Sequence, residues 1–163
     1  MPIKLKNKVT LEIEGFKFKC CIGKNGLKKN KSEGDMFTPK GEFELGTLYY
    51  RKDRIKNITT DLKKKIILPN MGWCNDSNDK KYNKEIIIKK KKGFEKLYRK
   101  DHKYDLLILI KYNFKKTIKY LGSAIFIHTT NNYKPTAGCI ALSKKDFLIL
   151  IKIINKNTKI KIF

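Results

Sequence analysis

Arginine is scarce in this 163-residue chain, although its formal net charge is +24. Only Arg51, Arg54 and Arg99 stand among the 39 basic residues, and the other 36 are lysines. Proteins that recognise nucleic acid favour arginine, because its planar guanidinium makes paired hydrogen bonds to bases and phosphates. A specific nucleic-acid partner is therefore not indicated.

The excess of lysine has two interpretations. Together with 22 isoleucines and 13 asparagines, it fits a gene of AT-rich codons, and this compositional bias is the interpretation that we favour. The alternative is a polyanionic partner, such as an anionic wall polymer, which a strongly basic surface would attract.

The chain also lacks the segments that mark membrane, exported or metal-binding proteins. It contains no run of about 18 apolar residues, so no membrane-spanning helix is predicted, and residues 1–20 show no signal peptide. Its four cysteines, Cys20, Cys21, Cys74 and Cys139, are too few for a disulfide framework at this length. No CxxC pair suggests a zinc site, and no metal or organic cofactor is indicated.

Alternation of apolar and polar residues predicts a mainly β domain that spans residues 1–163, either a sandwich or a barrel. Residues 9–14 and 16–20 predict a β-hairpin, and residues 42–50 predict a further strand. Residues 104–112 are apolar on both faces, which predicts a central strand.

Near the end of the chain, Ser143 and Asp146 form a capping-box pattern that predicts a helix to about Ile154. Residues 51–84 show no periodicity and predict a long irregular loop. Residues 94–99 predict one or two further helical turns, and residues 158–163 predict a final strand.

Residues 122–142, GSAIFIHTTNNYKPTAGCIAL, contain the strongest chemical signal of the sequence. A short apolar strand ends at His128, a loop follows, and a glycine-led turn presents Cys139. A cysteine nucleophile needs this arrangement of a nearby base and free backbone N–H groups for an oxyanion. Gly138 permits the sharp turn, because it has no Cβ. The alternative is that Cys139 is only a small buried hydrophobic residue.

A second motif lies in residues 33–43, where Gly34-Asp35 precedes Thr38-Pro39-Lys40-Gly41-Glu42-Phe43. Proline fixes φ and glycine supplies freedom, so the motif is also good turn chemistry without any catalytic role.

The two motifs, in this order, resemble those of the L,D-transpeptidase (YkuD-type) family, and the resemblance covers nearly the whole chain. It implies the same mainly β fold, Cys139 as nucleophile, His128 as general base, and Gly138 with Thr136 at the oxyanion turn. Two positions depart from the family pattern: Ala137 replaces a histidine, and Ala141 replaces an arginine.

The resemblance also implies a substrate groove for peptidoglycan stem peptides. We assign to this groove Thr38, Pro39, Gly41, Trp73 and Tyr133, although Trp73 fits a small satellite core equally well. The lysine-rich surroundings predict a lowered pKa for the Cys139 thiol.

The implied reaction is transpeptidation through a thioester. The same Cys/His site could instead act as an L,D-carboxypeptidase or amidase, or the chain could be a non-catalytic basic module that binds polyanions. The resemblance implies the cell envelope or periplasm, whereas the absence of a visible signal peptide leaves a cytoplasmic location as the alternative.

Overall fold

The alternating patterns produce fourteen short strands and one helix in the computed structural model, which describes residues 1–163. The strands are β1 (Ile3–Lys6), β2 (Thr10–Ile13), β3 (Phe16–Cys21), β4 (Leu27–Lys28), β5 (Thr38–Pro39), β6 (Gly41–Tyr50), β7 (Lys64–Ile66), β8 (Met71–Cys74), β9 (Glu85–Ile87), β10 (Phe94–Lys96), β11 (Leu106–Ile110), β12 (Phe126–Thr129), β13 (Ile140–Leu142) and β14 (Lys159–Ile162). The helix α1 spans Lys144–Ile153.

Eight of these strands close into a barrel in the order β11-β12-β13-β3-β2-β1-β14-β6, because β6 pairs again with β11. Strand β6 closes the ring because it is ten residues long. Its residues 41–44 pair with β14, and its residues 45–50 pair with β11. Of the two predicted architectures, the barrel is therefore the one observed.

Strand β11 lies at the centre of the fold, as its sequence predicted, and all five of its residues are buried. Leu106, Ile108 and Ile110 pack into one core, which also contains the apolar face of α1. Leu107 and Leu109 point the other way, into a second core. This second core contains Cys139, so the predicted nucleophile lies on the side of the sheet opposite the helix.

The helix begins where the capping box predicted. The Ser143 hydroxyl accepts a hydrogen bond from the Asp146 backbone N–H at 3.1 Å. Phe147, Leu150 and Ile151 are buried against the first core, which fits their spacing along one helical face.

Two predictions for the middle of the chain were wrong. Residues 94–99 are not helical, because residues 94–96 form β10 and pair antiparallel with β8. Residues 51–84 are less irregular than predicted, because they contain β7 and β8. Strands β10, β8 and β9 form a separate three-stranded sheet, whose pairings join residues far apart in sequence and leave little local signal.

No helix of the structure is long and apolar enough to cross a membrane.

The Ser143 cap yields a stability prediction. Replacing Ser143→Ala should lower the free energy of unfolding by about 1 kcal/mol, because the Asp146 N–H loses its acceptor at the helix start. Denaturant unfolding measures this change. The matched control is Ser32→Ala, since Ser32 is exposed and its hydroxyl makes no hydrogen bond, so its effect should stay within about 0.5 kcal/mol. Equal effects of the two substitutions would contradict the capping role.

Candidate active site

A cavity of about 570 Å³ opens beside the ends of β12 and β13, and its walls include His128, Thr136 and Cys139. Strands β12 and β13 run parallel with Ile127 opposite Ile140, so His128 stands opposite Ala141. Because side chains alternate along a strand, the side chains of His128 and Cys139 project from the same face. The two candidate catalytic groups therefore share one cavity.

The His128 imidazole is oriented by the backbone next to it. Its Nδ1 lies 2.8 Å from the carbonyl oxygen of Thr129, which can only accept, so Nδ1 carries the proton. Nε2 is then the basic nitrogen. It has no hydrogen-bond partner within the protein. Because it is not fully buried, it is exposed to the cavity. The Tyr104 ring packs against the imidazole at 5.3 Å between centroids.

Burial, with smaller contributions from the cationic Lys103 and Arg99, lowers the pKa of His128 to about 4, against the opposing hydrogen bond to Thr129. The imidazole is therefore neutral near pH 7, which is the state that a general base requires.

The Cys139 thiol is also neutral at rest. It is 7% exposed, donates to the carbonyl oxygen of Ala124 at 3.2 Å, and accepts the N–H of Phe126 at 3.4 Å. Burial, and then the carboxylate of Glu95, raise the pKa of the thiol well above its ordinary range. The predicted lowering of this pKa by surface lysines is therefore wrong, because desolvation outweighs exposed charges. Thiol and imidazole make no hydrogen bond to each other in this structure.

The turn that carries Cys139 is held by the Thr136 hydroxyl. This hydroxyl accepts the N–H of Gly138 at 3.1 Å and donates to the carbonyl oxygen of Cys139 at 2.6 Å. Gly138 has φ +144°, and a Cβ there would lie 2.9 Å from the carbonyl oxygen of Phe37, so only glycine fits. The N–H groups of Ala137 and Cys139 have no acceptor within the protein, which leaves them available to an oxyanion.

The second motif contacts this turn directly. Thr38 is fully buried, and its hydroxyl donates to the carbonyl oxygen of Gly138 at 2.8 Å and accepts the N–H of Gly23 at 2.9 Å. Gly23 in turn forms an isolated bridge with Thr136. Thr38 therefore supports the cysteine turn through its hydrogen bond to Gly138, and it does not line the cavity.

Three other residues assigned to the groove lie outside the cavity walls. Pro39 is buried in β5 beside Thr38. Gly41 begins β6 and pairs with Ile162 of β14. Tyr133 lies beneath the ammonium of Lys19, which is 4.5 Å from its ring centroid.

Trp73 occupies the satellite core that was the alternative to a groove wall. It is 1% exposed, its Nε1–H donates to Asn83 at 2.9 Å, and its ring packs on Phe126 at 5.1 Å. Trp73 thus supports the strand that carries His128, and it cannot touch a substrate in the cavity.

Sequence reasoning missed the wall that faces the cysteine. Glu95 and Tyr104 line the cavity, and the Tyr104 hydroxyl donates to Glu95. No motif marks either residue, and Glu95 fell in the segment predicted as helical. The sequence of residues 94–97, Phe-Glu-Lys-Leu, does not alternate between apolar and polar residues, so it offered no signal for a strand there.

Comparison with known proteins agrees with the mainly β fold. The family model of the YkuD L,D-transpeptidase catalytic domain matches residues 6–162. The solved structure of Bdellovibrio bacteriovorus Bd1075 is similar with a TM-score of 0.50 and 15% sequence identity, over 99% of this chain and 47% of that one. This chain thus spans about half of that chain, and at such identity the likeness concerns the fold alone. No curated protein matches. A match over nearly the whole length places this chain in the YkuD family of L,D-transpeptidase catalytic domains.

Proposed function

We propose that residues 1–163 form one catalytic domain, a cysteine-dependent L,D-transpeptidase that acts on peptidoglycan stem peptides through a thioester. The observation that carries this proposal is the shared cavity of His128 and Cys139, which project from neighbouring strands on one sheet face. Such substrates place the reaction at the cell envelope. Neither a metal nor an organic cofactor takes part in the proposed steps.

The proposed acylation begins from a neutral thiol and a neutral imidazole. The sulfur of Cys139 attacks the carbonyl carbon of the third residue of the stem peptide, while His128 Nε2 takes the thiol proton. The tetrahedral intermediate then collapses, the C–N bond breaks, and His128 returns the proton to the departing amine of the terminal D-amino acid. The N–H groups of Ala137 and Cys139 stabilise the negative oxygen in between.

The thiolate is thus formed only when substrate is present. At rest the thiol proton is held by burial, and the basic nitrogen of His128 faces the cavity without a partner. Entry of the peptide carbonyl beside free N–H groups offers the negative charge a stabilising site that the empty cavity lacks. The second half of the reaction reverses the roles, because His128 takes a proton from the acceptor amine as it attacks the thioester.

Water in place of the acceptor amine would make the same site an L,D-carboxypeptidase. The two departures from the family pattern lie beside the proposed chemistry, since Ala137 lines the cavity and Ala141 stands opposite His128. Both side chains are methyl groups, so recognition of donor and acceptor falls to other residues of the cavity wall.

A covalent adduct tests the nucleophile. The family resemblance implies that a carbapenem mimics the acyl donor. A carbapenem should therefore add its own mass once to the protein, and peptide mapping should place the adduct on Cys139. Cys139→Ala should abolish the adduct. Cys74→Ala is the matched control, because Cys74 is also a buried thiol but lies outside the cavity, and it should leave labelling intact.

Labelling that persists in Cys139→Ala would contradict this assignment of the nucleophile. Absence of any adduct on the wild type would instead favour a basic module that binds polyanions, which a salt-dependent binding assay with a wall polymer would detect.

The pH profile tests the general base. Because only the neutral imidazole can take the thiol proton, the acylation rate should fall as the pH decreases through about 4, well below the ordinary histidine value of about 6.5. The rate should not rise near the ordinary thiol pKa of about 8.5, since the resting thiol remains protonated there.

Proton NMR provides an independent measurement, because the chain contains only two histidines and His102→Gln assigns the remaining signal to His128. His128→Ala should slow acylation about a hundredfold or more while the domain stays folded. An imidazole that titrates near its ordinary pKa would contradict the neutral buried base.

Thr38 tests the link between the two motifs. Thr38→Val keeps the shape but leaves the Gly23 N–H and the Gly138 carbonyl buried without partners, so unfolding should become easier by about 2 to 4 kcal/mol. Acylation should slow by about tenfold to a hundredfold, because the cysteine turn shifts. Thr38→Ser retains the hydroxyl and should recover most of both losses. Equal acylation rates for Thr38→Val and Thr38→Ser would contradict a supporting role of the second motif at the active site.

A further inference from the structure

Glu95 is a carboxylate without a counter-ion in the wall of the proposed catalytic cavity. It forms no ion pair, and its one hydrogen bond comes from the hydroxyl of Tyr104 to Oε1. Oε2 has no hydrogen-bond partner within the protein. Because it is not fully buried, it is open to the cavity. A partly buried carboxylate that keeps one oxygen free can bind a cation that arrives from outside.

The cations around Glu95 do not fill this position. Arg99 lines the same cavity, but its guanidinium is engaged with both oxygens of Asp101, at 2.9 Å from Nε and 2.6 Å from Nη2. Lys103 also lines the cavity and forms no ion pair with Glu95, and the ammonium of Lys31 is paired with Asp35.

A carboxylate of the same small sheet that lies outside the cavity does have a counter-ion. Glu85 on β9 also accepts a tyrosine hydroxyl, from Tyr49 at 2.8 Å, but its other oxygen binds the ammonium of Lys65 at 2.6 Å. Five carboxylates of the chain form ion pairs with lysine. Glu95 forms none, although Lys31 and Lys103 line the same cavity.

We propose that Glu95 binds the ammonium group of the acceptor amine and positions it for attack on the thioester at Cys139. This inference rests on the proposed function. It makes Glu95 the residue that favours an amine over water as the acceptor.

The acceptor step, and not acylation, fits the charge of Glu95. Its carboxylate raises the pKa of Cys139 and therefore opposes formation of the thiolate. Once the sulfur is acylated it carries no charge, so the opposition disappears while the attraction for a cation remains. Burial raises the pKa of Glu95 itself, which brings its basicity closer to that of an amine than an exposed carboxylate would be.

The proton balance of the step is complete. The bound ammonium gives one proton to the Glu95 carboxylate and becomes a free amine. The amine nitrogen attacks the thioester carbon, the C–N bond forms and the C–S bond breaks. The second proton passes from nitrogen through His128 Nε2 to the sulfur of Cys139, which restores the thiol. Glu95 then releases its proton to solvent.

The test measures how one acyl-enzyme partitions between two products. A labelled tetrapeptide stem serves as donor, and a stem peptide with a free primary amine serves as acceptor at increasing concentration, with its N-acetylated form as the blank. Mass analysis separates the cross-linked product from the hydrolysed one. Glu95→Gln should raise the KM for the amine by about tenfold to a hundredfold, the cost of losing a charged partner, without slowing acylation.

The ratio of products is independent of how much protein folds, because only folded enzyme becomes acylated. Glu85→Gln is the matched control and should leave the partition unchanged, and Glu95→Asp should recover part of the loss. An unchanged amine KM in Glu95→Gln would overturn the inference, and so would slower acylation, which would mean that Glu95 binds the donor. A wild type that yields only hydrolysed product would also overturn it, whereas absence of any acyl-enzyme would contradict the proposed function itself.

Discussion

The parallel register between β12 and β13 is the constraint on which the candidate site depends. Because Ile127 pairs with Ile140, His128 and Cys139 project from one face of the sheet. A shift of one residue would turn one of these side chains into the opposite core. The register is held by the closed barrel, in which β13 also pairs with β3, and by the Thr38 hydroxyl that fixes the turn before β13.

Burial of this pair determines the kind of catalysis that the site can support. A thiolate and imidazolium pair would require two buried charges, whereas a thiol and a neutral imidazole carry none. The shifted pKa values of Cys139 and His128 have the same cause and point in opposite directions, so both favour the neutral forms. In the proposed mechanism, charge separation occurs only when a substrate carbonyl binds beside the free N–H groups of the turn.

The sequence predicted the elements whose signals are local. The capping box of α1, the apolar run of β11 and the Thr-x-Gly-Cys turn each depend on residues within a few positions of one another, and all three are present in the structure. Its failures concern contacts between distant residues. Trp73 is buried by Phe126, and Glu95 reaches the cavity because β10 pairs with β8, more than twenty residues earlier in the chain. Local periodicity carries no information about such pairings.

The protonated state of Cys139 also bears on how the protein withstands oxidants. Peroxides and disulfides react with thiolates, and a thiol that is protonated and 7% exposed gives them little to attack. The cysteine that we assign as nucleophile is therefore protected while the cavity is empty, and in the proposed mechanism it becomes reactive only when a peptide is bound. A sulfur arranged in this way can serve in an oxidising compartment without a partner thiol to repair it.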